Sequence, residues 1–217
     1  MLHVGTLLAV VVYFSADIVK IVRGIGAILK KKKGSQDGAK LFFWIIVGTI
    51  PTGLIGFLFR DWFETLFFKP RLVGVMLLIT GLVLWLTRWA RKEGREIEKM
   101  GWRDSILVGI AQGMAIVPGI SRSGATISTG LFCGLNRELS GKFSFLLSVP
   151  AILGATLLEF KNIDTIQEFW IILVGTGFAF GVGILSLNFL LKINKLGKLS
   201  NFSYYCWIIG VTIIILI

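Results

Sequence analysis

The stretch Pro118-Gly119-Ile120-Ser121-Arg122-Ser123-Gly124-Ala125-Thr126 interrupts an apolar segment that runs from 105 to 135. On either side of the interruption, each apolar arm has only about 13 residues, too few to cross the roughly 30 Å hydrocarbon core of a bilayer. Irregular backbone at membrane depth is tolerated where it is buried in protein or lines a cavity. We therefore predict a re-entrant helical hairpin over 105–135, with the polar stretch at its tip.

The rest of the chain is typical of a multi-pass membrane protein. Of its 217 residues, 55% are hydrophobic and only 16% are charged, whereas soluble domains have about 25% charged residues. Six further apolar segments have about the 20 residues that a membrane helix needs. They run over 2–22, 41–59, 71–89, 143–159, 169–191 and 201–217. The sequence thus predicts an all-α integral membrane protein with about six transmembrane helices and one re-entrant hairpin.

The basic residues of the connecting segments indicate how these helices are oriented. A hairpin that enters and leaves on one side places 17 of their Lys and Arg residues inside and 4 outside, whereas a single crossing gives 13 and 8. Because cytoplasmic loops are rich in Lys and Arg, the re-entrant arrangement is favoured. The net charge of +11 then reflects loops that face anionic lipid, such as the run Lys30–Lys33. Membrane lipids, and no nucleic acid, are the predicted partners.

The order of the apolar segments also predicts an internal repeat. Three of them precede the hairpin and three follow it, in opposite orientation. We predict one membrane domain over 1–217, with 1–90 as the first half of an inverted repeat and 105–217 as the second. Because such repeats normally come whole, a hairpin of the first half is expected before residue 1. The acidic connection 159–168 is expected outside.

The chemistry of the hairpin tip is dominated by Arg122, the only basic residue of 105–135. A cation inside an apolar segment costs about 2.5–3.5 kcal/mol on insertion scales, and such residues are functional by default. No carboxylate of the segment can neutralise Arg122. A bound anion is therefore its predicted partner.

The residues around Arg122 suit a phosphate group. Gly119 and Gly124 let the backbone approach an anion closely. Hydroxyl donors are offered by Ser121, Ser123 and Thr126. A guanidinium group can hold phosphate through two parallel hydrogen bonds. The helix of the second arm is expected to begin near Ser123, with its positive end directed at the same anion.

Two polar residues elsewhere are weaker candidates. Gln112 lies six residues before Pro118, where it either lines the cavity or bonds a neighbouring helix. Asp17 lies in the first apolar segment near Lys20 and Arg23, and an interfacial ion pair with these residues is predicted. A chain with one histidine has no multi-histidine metal site.

The tip sequence resembles a signature of the undecaprenyl-diphosphate phosphatase family, the bacitracin-resistance type. The likeness includes Gly109-Ile110-Ala111-Gln112 and Phe143-Ser144-Phe145-Leu146-Leu147-Ser148-Val149-Pro150, and it covers essentially the whole chain. It implies hydrolysis of undecaprenyl diphosphate to the monophosphate plus phosphate, which recycles the cell-wall lipid carrier at the cell membrane. It also implies that Arg122 and Ser121 are the catalytic pair. The implied substrate-binding residues are Gly119, Ser123, Gly124, Thr126, Gln112 and Ser144.

This sequence departs from the family in one respect. The family's first signature, a glutamate-rich stretch followed by Pro-x-Ser-Ser-x-x-x-His, is not found in these 217 residues. The resemblance implies a divalent metal, Mg or Ca, with ligands expected in a segment before residue 1 and none in this chain. We therefore expect an N-terminal truncation, and both activity of this chain alone and its oligomeric state stay open. The alternative function is a transporter or flippase for a phosphorylated lipid or small anion, because inverted repeats with broken helices are common there.

Overall fold

The computed structural model describes residues 2–29, 37–91, 93–159 and 169–216, which are almost entirely helical. The α-helices are α1 (Leu2–Tyr13), α2 (Ser15–Leu29), α3 (Asp37–Leu58), α4 (Arg60–Leu66), α5 (Pro70–Leu86), α6 (Trp102–Met114), α7 (Arg122–Phe132), α8 (Arg137–Glu159), α9 (Phe169–Lys195) and α10 (Phe202–Leu216). Five of them, α3, α5, α8, α9 and α10, are long and apolar enough to cross a membrane, and the bent pair α1–α2 gives a sixth candidate. The predicted all-α integral membrane protein is confirmed. The run Lys30–Lys33 and positions 160–168 of the acidic connection lie outside the described residues.

The first span differs from the prediction of one continuous helix over 2–22. The chain bends by 72° between α1 and α2, and Phe14 at the bend is buried and stacks on Phe145 of α8. The physical reason is the charge in α2, because Asp17, Lys20 and Arg23 cannot continue straight through lipid. The predicted ion pair of Asp17 forms with another partner, Lys142 of α8, at an N···O distance of 2.9 Å.

Small residues let the helices approach closely, as is common in membranes. A Cβ atom added at Gly109 of α6 would lie 2.2 Å from the carbonyl oxygen of Gly48, so α6 lies directly against α3. Likewise, a Cβ atom at Gly74 of α5 would lie 2.9 Å from the carbonyl oxygen of Gly210 in α10. The first contact places α3 against the hairpin, and the second holds α5 against α10.

The predicted hairpin consists of α6, α7 and the loop 115–121 between them, which is called the tip loop below. The helices have 13 and 11 residues. At 1.5 Å per residue they are about 20 Å and 17 Å long, shorter than the roughly 30 Å apolar core. Neither helix can cross the membrane alone, which agrees with the predicted re-entrant arrangement.

The two ends of the hairpin lie at opposite ends of the helix bundle. Its base is held by the segment 93–101, called the strap below, through an ion pair between Arg95 and Asp104. Val117 of the tip loop instead packs against Phe63 and Leu66 of α4. Because α4 belongs to the connection predicted outside and the strap to a basic connection predicted inside, the charge pattern predicts that the tip loop lies nearer the outer face.

Candidate functional site

Ser121 forms the structural junction between the tip loop and α7. It is the N-cap of that helix, and its side-chain oxygen accepts a hydrogen bond from the N–H group of Gly124 at 3.1 Å. Serine is a preferred N-cap residue because it satisfies one of the unpaired N–H groups of the first turn. The helix therefore begins at Arg122, one residue before the predicted start near Ser123.

Several hydrogen-bond donors remain available at the start of α7. The backbone N–H groups of Arg122 and Ser123 have no acceptor in the described part of the chain. The Ser121 oxygen accepts one hydrogen bond, and its O–H group can still donate another. These donors and the positive end of the helix dipole lie beside one another, as in anion-binding sites at helix N-termini.

The guanidinium group of Arg122 lies in the same first turn of α7 and is partly buried. It makes no ion pair and no hydrogen bond with any residue that the structure describes. Among the described residues, the one side chain that hydrogen-bonds to Arg122 is Thr126, whose hydroxyl donates to the Arg122 backbone oxygen at 2.8 Å. None of the ion pairs among the described residues involves Arg122. An anionic ligand is the natural partner for such a cation.

Thr126 and Ser144 lie behind the first turn of α7. Their hydroxyl oxygens are 2.5 Å apart, and both side chains are almost fully buried. Because Thr126 also donates towards the Arg122 carbonyl, it connects the first turn of α7 to α8. In this structure the two residues hold the first turn of α7 against α8. Their predicted contact with substrate stays a prediction.

Gln112 has a comparable bridging position on α6. Its Nε2 atom donates to the carbonyl oxygen of Leu147 in α8 at 3.2 Å and approaches the hydroxyl of Thr52 in α3 at 3.4 Å. The side chain is only 2% exposed. Of the two roles that the sequence left open, these contacts favour bonding to neighbouring helices over lining a cavity.

The structure adds Thr80 of α5, which was not among the predicted site residues. Its hydroxyl group contacts the backbone of Gly119 and Ser121 in the tip loop. A threonine in the apolar run Leu77-Leu78-Ile79-Thr80 is itself a detectable signal, because polar residues are rare in such runs. The sequence does not indicate which loop it would meet.

Comparison with known proteins assigns this chain to a family. The family model described as bacitracin resistance protein BacA matches residues 1–212. The chain belongs to the BacA family. The match includes the whole hairpin and the helices that support it.

Individual relatives of this BacA family member agree with the assignment. The chain is 43% identical over 219 residues to a protein of Halothermothrix orenii named undecaprenyl-diphosphatase, covering 99% of this chain and 81% of the relative. A protein of Carboxydothermus hydrogenoformans with the same name is 44% identical over 226 residues, covering 100% and 80%. A third, from Methanothermobacter thermautotrophicus, is 47% identical over 175 residues, covering 78% and 97%.

The divalent metal implied for the BacA family has no fitting ligand set in the described ranges. Those ranges contain no group of three His, Cys, Asp or Glu side chains that could hold a metal ion. The groups at the tip loop itself, the Arg122 guanidinium and the first N–H groups of α7, are hydrogen-bond donors that bind anions and repel cations. No chemical step is therefore assigned to a metal at these residues.

Proposed function

We propose that the protein is an undecaprenyl-diphosphatase of the cell membrane, which hydrolyses the lipid diphosphate to the monophosphate and phosphate. The names of its relatives support the substrate and the reaction. One observation on this chain carries the proposal furthest. Arg122 stands at the N-terminus of a membrane-embedded helix without any ion-pair partner in the described residues.

The donors at the tip loop match the terminal phosphate group of such a lipid. The guanidinium fork of Arg122 can hold two phosphate oxygens. The N–H groups of Arg122 and Ser123 and the O–H group of Ser121 can donate to the remaining oxygens. Together with the helix dipole, these groups offset the negative charge of a diphosphate at a depth where water is scarce.

The same groups can stabilise the transition state of hydrolysis. An oxygen nucleophile attacks the terminal phosphorus atom, the bond from this atom to the bridging oxygen breaks, and the lipid monophosphate leaves with the bond's electron pair. In the net reaction one water molecule gives its oxygen and one proton to the released phosphate, and its other proton passes to solvent. Negative charge is then spread over the transferred phosphoryl group and the leaving oxygen. Fixed donors directed at this charge lower the barrier because they need no reorganisation. Binding and charge stabilisation are the roles we assign to Arg122 and Ser121.

The position of the tip loop supports access from the outer leaflet. The loop packs on α4, which joins α3 and α5 in the connection that the charge pattern predicts to be outside. A lipid of the outer leaflet can therefore bring its phosphorylated headgroup to the N-terminus of α7 while its isoprenoid chain stays in the bilayer. Cleavage at this face is consistent with recycling of a carrier that delivers cell-wall precursors outwards.

Phosphate release from undecaprenyl diphosphate by the protein in membranes tests the proposal, with Arg122→Lys as the decisive variant. We expect Arg122→Lys to lower kcat/KM at least about 100-fold, because a point charge cannot replace the bidentate fork. The matched control is Arg103→Lys, since Arg103 lies at the exposed base of the hairpin over the ring of Trp102. It should retain wild-type activity.

Two outcomes would contradict the proposal in different ways. Full activity of Arg122→Lys would show that the Arg122 guanidinium group is not needed to bind the phosphate. The protein could then still be a phosphatase. Transbilayer movement of the lipid without any phosphate release would instead favour the flippase alternative.

A further inference from the structure

Thr80 of α5 is a buried threonine that contacts the tip loop twice. Its hydroxyl group donates a hydrogen bond to the carbonyl oxygen of Gly119 at 3.0 Å. The oxygen of the same hydroxyl accepts a hydrogen bond from the backbone N–H group of Ser121 at 3.3 Å. A hydroxyl can donate once and accept twice, so it satisfies both backbone groups at the same time. The side chain is 4% exposed.

The backbone of Gly119 lies directly on α5, one to two turns before Thr80. Gly119 has a φ of 94°, and a Cβ atom there would lie 2.5 Å from the carbonyl oxygen of Val73 and 2.9 Å from the Cβ atom of Met76. Only glycine combines this conformation with this closeness without strain. The loop is thus fixed to α5 by steric contact at Gly119 and by the Thr80 hydroxyl.

The groups that would bind phosphate begin directly after this attachment. The N–H group of Ser121 is bound to Thr80, the side chain of Ser121 caps α7, and Arg122 is the first residue of that helix. The direction of the Ser121 hydroxyl and of the first N–H groups of α7 therefore depends on where α5 holds the loop.

We propose that Thr80 is a positioning residue, whose hydroxyl bridge from Gly119 to Ser121 holds the N-terminus of α7 in the orientation needed for phosphoryl transfer. The inference rests on the proposed function, because the site that it positions is the phosphate site. Thr80 itself touches no substrate. Its effect is transmitted through the backbone of the tip loop.

The test compares three threonine variants of the full chain. Thr80→Val keeps the shape of the side chain and removes the hydroxyl, so the bridged carbonyl and N–H groups lose their partner. We expect kcat for phosphate release to fall roughly 30- to 100-fold, with KM within about threefold of wild type, because misplaced groups lose interactions made in the transition state. Thr80→Ser restores the hydroxyl and should return kcat to within about threefold of wild type.

Thr49→Val is the matched control, since the hydroxyl of Thr49 in α3 donates to the Ile45 carbonyl of its own helix at 2.7 Å. It should leave kcat unchanged. Hydrogen exchange of the peptide that covers 115–124 gives a second readout that needs no turnover. Exchange should be faster in Thr80→Val than in wild type, Thr80→Ser and Thr49→Val.

Each outcome separates this inference from the proposed function. Phosphate release by the wild type, together with wild-type kcat and exchange in Thr80→Val, would overturn the inference alone. A loss of activity that only matches a loss of folded protein, or that Thr80→Ser does not rescue, would also overturn it. Absence of phosphate release by the wild type, also when it is expressed with any coding sequence that precedes residue 1, would overturn the proposed function and, with it, the role of Thr80.

Discussion

Arg95 and Arg122 lie at opposite ends of the hairpin, and their surroundings differ in every contact. The guanidinium group of Arg95 donates to Asp104 at 2.8 Å, to the carbonyl oxygen of Cys133 at 2.5 Å and to that of Lys99 at 2.9 Å. Its backbone also donates to Gly134 at 2.7 Å. The guanidinium group of Arg122 has no such partner among the described residues.

The comparison distinguishes a structural arginine from a ligand-binding one. Arg95 joins the strap to the first turn of α6 and to the end of α7, so its donors are used in holding the base of the hairpin together. A membrane protein that leaves Arg122 without such contacts bears a free-energy cost that a bound anion would offset. Stability should therefore depend on Arg95, and substrate affinity on Arg122.

Arg95→Gln is expected to give the largest loss of stability. The variant removes the ion pair with Asp104 and the bond to Cys133, which we expect to lower the free energy of unfolding by about 2 kcal/mol. The loss stays below that of a fully buried pair because the Arg95 side chain is 39% exposed. Chemical denaturation in detergent, followed by the fluorescence of the seven tryptophans, measures it.

Asp104→Asn and the double variant provide the control for Arg95. If the ion pair carries the effect, the double-mutant cycle should give a coupling energy of about 1 kcal/mol. Activity per folded molecule of Arg95→Gln should remain near that of the wild type. A stable Arg95→Gln protein without activity would contradict our assignment of stability to the base of the hairpin and of substrate binding to its tip.

Asp17→Asn is expected to have a smaller effect, about 1 kcal/mol on the free energy of unfolding. Asp17 pairs with Lys142 across α2 and α8, and the two side chains are only 18% and 27% exposed. Glu138→Gln is the matched control, because the pair of Glu138 with Lys195 is 63% and 71% exposed. The control should change stability by less than about 0.5 kcal/mol. Equal losses of unfolding free energy in Asp17→Asn and Glu138→Gln would show that burial does not determine how much each ion pair stabilises the protein.

The sequence predicts the hairpin and its tip well, because both depend on local features. Two apolar arms too short to cross a bilayer, with Pro118 and Gly119 between them, are sufficient to predict a re-entrant turn. Ser121 followed by Arg122 and Gly124 locates the start of α7 to within one residue. Segment 105–135 contains no Asp or Glu, so the sequence itself shows that no carboxylate within the hairpin can pair with Arg122.

Features that depend on contacts between distant helices could not be predicted. The neighbours of Asp17 along the chain, Lys20 and Arg23, suggested a local ion pair, but the bend after α1 brings Asp17 to Lys142. The role of Thr80 depends on the packing of α5 against a loop 39 residues further along the chain. Such pairings depend on how the helices pack in three dimensions, and this packing cannot be deduced from a single sequence.

Thermal unfolding with and without inorganic pyrophosphate tests most directly whether phosphate is the partner of Arg122. A ligand at 100 times its Kd stabilises the folded protein by about 2.7 kcal/mol, so the wild type and Arg95→Gln should both gain Tm. Arg122→Gln should gain none, and without ligand it should be at least as stable as the wild type, because an unpaired charge has been removed. An undiminished gain in Arg122→Gln, or a loss of ligand-free stability like that of Arg95→Gln, would contradict the account.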